Sequence, residues 1–305
     1  MASLRDIKQR KSSIQSTQQI TKAMKLVSTV KLQKARAHAE SANPYFNYMY
    51  ETVTSMLARS GSLDHPYLKA GSSPKKAVVV ISSNRGLAGG YNSNIVKLVT
   101  GSGFPKEYVK IYAIGRKAGE SLERKGYEIT KDYSNIMEGP EYADAAAICK
   151  EILEAYTDGE IGEIYLAYTH FKNTVSHVPT LMKLLPVEAG EGDSAGQAEK
   201  TDGTSVSART ESQEDRAASL TLMNYEPSVE QALDRIIPKY VTSLFYGALV
   251  EAVASENGAR MQAMDSATNN AEEMIGDLTL KYNRARQGSI TQELTEIIAG
   301  AEAIS

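Results

Sequence analysis

The chain has one cysteine, Cys149, in 305 residues. An internal disulfide is therefore excluded, as is any zinc site built from cysteine pairs, and a lone thiol of this kind suits a reducing compartment. It reads as a small semi-buried apolar residue. No run approaches the roughly 18 uncharged apolar residues that a membrane span requires. The first apolar residues, Leu4 and Ile7, are interrupted by charge, so the apolar block and cleavage site of a secretory leader are missing. No excess of positive charge is present either: 34 Lys and Arg stand against 37 Asp and Glu, a net charge of −3. A nucleic-acid binder with an overall basic field is thereby disfavoured. H-E-x-x-H, the nucleophile elbow and any Ser, His and Asp constellation are also missing, so catalysis by this chain alone is not expected.

What is present is segregated by segment. Residues 1–40 hold nine basic residues against Asp6 and Glu40, a net of +7, whereas residues 186–216 carry eight acidic and three basic residues. From Ser228 onward there are eleven acidic and six basic residues. The basic arm lacks interleaved aromatics and spreads its Lys and Arg around the helix. That suits cross-pairing with an acidic helix and steering of an acidic protein partner, and argues against nucleic acid.

Periodicity divides the chain into three parts. Within residues 1–60, Leu4, Ile7, Ile14, Ile20, Met24, Val27 and Val30 recur at helical spacing, and a helix of about 55 residues would reach about 80 Å. Pro44 is expected to kink or break it. Residues 75–227 alternate short β-branched runs with helical stretches. Ala77–Ile81, Tyr108–Ile114 and Glu163–Tyr168 read as strands, with Val175–Val187 and Ser219–Tyr225 as weaker ones, and Arg116–Lys125 and Tyr142–Tyr156 read as helices. Such alternation predicts a Rossmann-like α/β domain with a mostly parallel sheet. The acidic stretch 188–215 holds too little apolar content to offset its ordering entropy and reads as a disordered insertion. Residues 228–305 return to the helical period over about 70 residues, or about 100 Å, with a kink expected at Pro238. Two such helices hide their stripes most simply against each other, as a long antiparallel coiled coil with exposed stretches left for a partner.

One loop invites a ligand. Ser83–Asn92 is a glycine-rich turn directly after the first strand, where phosphates are often cradled. It matches neither G-x-G-x-x-G nor G-x-x-x-x-G-K-[ST] and lacks the Lys and Ser/Thr of a phosphate loop. The structural alternative is a tight strand-to-helix turn that leaves Arg85 to a partner. His170 and His177, seven apart across a strand-turn-strand, have no carboxylate or cysteine at ligand spacing, so neither a metal nor a cofactor is expected. His38 and His65 read as surface residues on a helix and in a loop.

Three segments together resemble one family, the γ subunit of the F-type ATP synthase. They are Thr17–Val27, Ser83–Asn92 and, the most specific, Tyr282–Ile298 with its run Tyr282-Asn283-Arg284-Ala285-Arg286-Gln287-Gly288-Ser289. The resemblance covers the chain apart from the acidic insertion. It implies a non-catalytic rotor shaft, one copy per complex, whose coiled coil enters a hexamer of α and β subunits (α3β3). The α/β domain would then sit on the membrane c ring beside ε, coupling proton or sodium flux to ATP synthesis or hydrolysis. Carried over by position, Arg286, Gln287, Thr291 and Glu293 would lie on the upper shaft near the β catch loop, with Met24 facing the same neck. Arg85 and Ala88 would approach the acidic β lever, where the family often has Cys in place of Ala88. Tyr225 and Glu226 would meet the c ring and ε. The insertion has no Cys, so the thiol regulation of the photosynthetic branch is not implied. A bacterial complex, peripheral on the cytoplasmic side of the inner membrane, is the expected location. The competing readings are a dimeric coiled-coil scaffold, and a nucleotide-binding α/β enzyme with ligand at Gly86–Gly90.

Overall fold

The computed structural model describes residues 4–60, 65–187 and 228–302. The acidic insertion, the strand expected at Ser219–Tyr225, and Tyr225 and Glu226 themselves lie outside the described residues.

Two helices carry most of the length. α1 runs Leu4–Ser60 and the last helix, α5, runs Val229–Glu302, 57 and 74 residues. They are antiparallel, because Thr21 Oγ1 lies 2.8 Å from Thr268 Oγ1 and Lys25 Nζ lies 2.5 Å from Asp265 Oδ1. The helix is not broken at Pro44, and it continues through Pro238 as well. A proline removes one helical hydrogen bond, and packing against neighbouring elements keeps the helix continuous despite that loss. Around Pro238 the packing is heavy, with Leu233, Ile237 and Val241 all buried, and Thr242 Oγ1 donates to the Pro238 carbonyl at 2.7 Å.

Between the helices lies a sheet of five strands. β1 (Lys76–Ile81), β2 (Val109–Ile114), β3 (Glu128–Asp132) and β4 (Glu163–Phe171) are parallel, and β5 (His177–Leu185) is antiparallel to β4, in the order β3-β2-β1-β4-β5. α2 (Tyr91–Gly101), α3 (Arg116–Glu123) and α4 (Tyr142–Thr157) cover its faces. β3 escaped the sequence reading because it is an exposed edge strand, Glu-Ile-Thr-Lys-Asp, with one apolar residue. An edge of that composition carries no apolar run to detect.

Alternation along β1 explains the layering. Ala77, Val79 and Ile81 point to one face with Ile148 and Ile152 of α4 and Leu233, Ile237, Phe245 and Leu249 of α5. Val78 and Val80 point to the other, with Ile95 and Val99 of α2 and Ala118 and Leu122 of α3. A central parallel strand buried on both faces must read as a continuous apolar run, as this one does. The foot of α1 joins the first face through Val53 and Met56, which roots the coiled coil in the sheet.

By composition, an 18-residue window within Val229–Ala301 is apolar enough to cross a membrane, contrary to the expectation from sequence. Much of it, 61%, is buried inside the molecule, and its apolar side chains form the core against the sheet and α1.

Candidate functional site

The glycine-rich turn is built by its own polar side chains. Ser82 Oγ donates to the Gly115 carbonyl at 2.9 Å and accepts from the Ala118 N–H at 3.1 Å, fastening the end of β1 to the start of α3. Gly115 must be glycine there, since its φ is +99° and a Cβ would fall 2.0 Å from the Ser82 carbonyl oxygen. Asn92 Oδ1 accepts the Ser83 N–H at 3.0 Å, and Asn84 Nδ2 donates to the Ser134 carbonyl at 2.7 Å. Ser83 Oγ donates to the Arg85 carbonyl at 2.6 Å. These side chains are occupied in holding the loop, which favours the strand-to-helix turn over the phosphate cradle.

The turn places its residues unequally. Leu87 adopts a left-handed φ of +62° and stands 63% exposed at the tip, whereas Ala88 is 2% exposed beneath it. Leu87, which sequence reasoning passed over, is thus the exposed apolar side chain of the turn. Arg85 is exposed, with Glu138 at 3.5 Å, an ion pair weak enough to exchange for another. Arg85 and Met24, distant in sequence, line one groove of about 730 Å³ between α1, the turn, residues 137–141 and α5. Its floor holds Glu256 paired with Arg260 at 2.7 Å. Burial raises the Glu256 carboxyl above the usual carboxylate range, and Arg260, then Lys31 and Arg85, oppose that shift. Nothing in the spacing of Glu256 and Arg260 distinguished them from an ordinary surface pair on a helix.

The coiled coil corrects the expected seam. Thr21, Ser28, Leu32 and Ala35 of α1 are buried against α5, while Ile20, Leu26, Val27 and Val30 face outward, each more than half exposed. Small and hydroxyl side chains let two helices approach closely, so the seam selected them and left the larger apolar residues outside. Across the seam one of the Thr21 and Thr268 hydroxyls donates its single proton to the other, which donates its own to a carbonyl of its own helix, Gln18 for Thr21 or Met264 for Thr268. The antiparallel register brings Leu4 level with about Ala285 of α5, so the roughly 25 Å beyond is a single helix among the described residues. Every described side chain from Arg286 to Ala301 is exposed, including Ile290, Leu294, Ile297 and Ile298. Arg286, Gln287, Thr291 and Glu293 lie on this segment together. Thr291 Oγ1 donates to the Gln287 carbonyl at 2.9 Å, and Ser289 Oγ donates to Glu293 at 3.5 Å.

Among the histidines, His38 is exposed as expected, but His65 is buried. Its Nδ1 accepts the Tyr67 N–H at 3.2 Å and its Nε2 lies 3.1 Å from Asp234, a local loop cap that also ties the loop to the start of α5. His170 Nδ1 meets Glu251 at 2.8 Å. That bond raises its pKa above the ordinary histidine value, whereas burial alone lowers that of His177. No cluster of three or more His, Cys, Asp or Glu suited to a metal occurs among the described residues. Cys149 is buried, and burial pushes its thiol up to about 12, with a hydrogen bond to Thr242 opposing.

Comparison with known proteins follows the same lines. A family model described as ATP synthase matches residues 3–304. The ATP synthase gamma chain of Lachnoclostridium phytofermentans is 65% identical over 305 residues, spanning 100% of both chains. The gamma chain of Acetobacterium woodii, named as sodium ion specific, is 40% identical over 302 residues, or 99% of each chain. Among solved structures, a chain of the Euglena gracilis mitochondrial ATP synthase, in a structure of its OSCP/F1/c-ring, superposes with a TM-score of 0.65 at 19% identity. That match covers 99% of this chain and 94% of that one, and speaks for the fold. A chain of the central stalk and c ring of the Tetrahymena thermophila mitochondrial ATP synthase gives a TM-score of 0.55 at 24% identity, covering 81% and 99%. Matched by the family model over nearly its whole length and by close relatives from end to end, this chain belongs to the ATP synthase gamma-chain family.

Proposed function

We propose that this chain is the central rotor shaft of an F-type ATP synthase, transmitting torque between a membrane c ring and a catalytic α3β3 hexamer. It supplies no catalytic group. The observation that carries the reading is the shaft itself: an antiparallel pair whose outward faces hold Ile20, Leu26, Val27 and Val30 and whose unpaired end holds Ile290, Leu294, Ile297 and Ile298. Apolar side chains left at the end of a stiff rod fit a surrounding sleeve of other subunits. Such a rod works by favouring different conformations of each neighbour in turn as it rotates.

Within this reading Arg286, Gln287, Thr291 and Glu293 contact the β subunits high on the shaft. Met24, expected at the neck, lies instead in the groove beside Arg85, about 30 Å along the shaft from Arg286, so in this reading Met24 and Arg85 meet the β lever, with Leu87 in place of the buried Ala88 as the contacting side chain. Tyr225 and Glu226 meet the c ring and ε. The flux is of protons or sodium ions. The family name and the bacterial relatives support a complex peripheral to the bacterial inner membrane on its cytoplasmic side.

Isolation of the native complex followed by intact-complex mass spectrometry tests this. One copy of the chain with three copies each of two homologous subunits is the expected result. A free homodimer through the helices, or a nucleotide-binding monomer, would overturn it.

A further inference from the structure

A shaft transmits torque to its base only if the two cannot turn against each other. The hydrophobic driving force is non-directional, so a helix held to a sheet by apolar contact resists rolling about its axis only through the interdigitation of its side chains. Directional hydrogen bonds and steric keys are what fix its azimuth. The bonds given by α5 to the sheet strands and to α2 among the described residues fall on one short piece of it.

Between residues 251 and 258, α5 is tied to three separate elements of the α/β layer. Glu251 bonds His170 of β4 at 2.8 Å. The Ala252 carbonyl accepts from the hydroxyl of Tyr91, at the first turn of α2, at 3.1 Å. Ser255 Oγ donates to the Thr169 carbonyl of β4 at 3.0 Å, with Ser255 fully buried. Gly258 forms the steric key, since a Cβ there would lie 2.5 Å from the His177 Nε2 of β5. The opposite side of the same stretch meets α1, where Ala254 packs on Leu32 and Ala35. The coiled coil and the sheet are thus both gripped at one level, above the largely apolar packing around Leu233, Ile237 and Phe245, where the polar ties of α5, Asp234 to His65 and Thr242 to Cys149, reach a loop and α4 and not the sheet.

We infer that residues 251–258 of α5, with Tyr91, Thr169, His170 and His177, form a torsional clamp that locks the shaft to the α/β domain. Tyr91, Ser255 and Gly258 are its positioning residues. This rests on the rotor reading.

The test uses the assembled F1 complex, immobilised through its hexamer, with a probe on the α/β domain whose angular fluctuation at stall reports torsional stiffness. The double variant Tyr91→Phe/Ser255→Ala removes two bonds while keeping shape, and Gly258→Ala drives His177 off the helix. Ile148→Val, a core change away from the clamp, serves as a control for general destabilisation. Stiffness is expected to fall about twofold in both clamp variants and to stay at the parent value in the control, even at an equal drop in Tm. Parent stiffness in both clamp variants, or an equal fall in the control, would overturn the clamp. A parent chain that assembles with no hexamer and does not rotate would overturn the rotor reading instead, and the clamp with it.

Discussion

The two sheet histidines titrate in opposite senses for reasons local to each. His170 gains a carboxylate partner, so the folded state holds its proton more tightly than the unfolded chain does. The stabilisation it gives is fully present below the unfolded value of about 6.5 and is lost as pH rises through the raised folded value. His177 is pressed against Gly258 with its Nε2 buried and unpartnered, so only desolvation acts and the neutral ring is favoured. Its contribution is present above the unfolded value and is lost as pH falls through the lowered folded one. His170→Gln should therefore destabilise the chain more at pH 6 than at pH 8.5, read as the difference in Tm from the parent at each pH. An equal difference at both would mean that the Glu251 bond does not depend on the histidine charge. This division was not legible in the sequence. Spacing showed two histidines in a hairpin, but their partners, Glu251 and Gly258, come from more than 70 residues away.

For the elements, α1 shows where helical periodicity informs and where it misleads. Its helical character was legible in the recurrence of apolar residues and the scarcity of glycine. The face it buries was not, because a long helix that serves two partners carries two stripes, and the larger side chains belong to the one this chain does not satisfy itself. The distinction is measurable on the isolated protein. Leu32 is 5% exposed and Leu32→Ala should cost about 2–3 kcal/mol, the transfer and cavity terms of a buried leucine. Val27, 58% exposed, should tolerate Val27→Ala within about 0.5 kcal/mol. Urea unfolding of both variants decides the matter, and the reverse order would place the seam on the Val27 face. The strands were read more securely. β1, β2 and β4 are buried on both faces and had to be apolar throughout, while β3, at the edge, had no such requirement and escaped notice.

In the molecule as a whole, stability and function occupy different regions. The sheet, α4, the foot of α1 and the first half of α5 hold the largest core, and the far end of α5 holds none. A chain ending at Arg286 should therefore melt within about 2 °C of the parent when isolated, since every described side chain removed is exposed. On the rotor reading the same truncation should slow rotation of the assembled complex against a viscous load, because it removes the segment proposed to contact the β subunits. Unchanged rotation would show that the lower contacts at Met24, Arg85 and Leu87 suffice to drive the shaft.

Sequence alone determined the class of the molecule: two long terminal helices too long for any globule, a mostly parallel α/β layer between them, and three motifs in family order. These are properties of composition and local period, which a linear chain displays directly. Tertiary structure decided what those residues face. It buried Thr21 and Ser28 in the seam, turned Val27 and Val30 outward, hid Ala88 and raised Leu87, buried His65, and gathered Tyr91, Thr169, His170 and His177 around one stretch of α5. Each of those outcomes depends on groups far apart in the chain meeting at a distance of a few ångströms. Local periodicity carries no information about which distant group arrives.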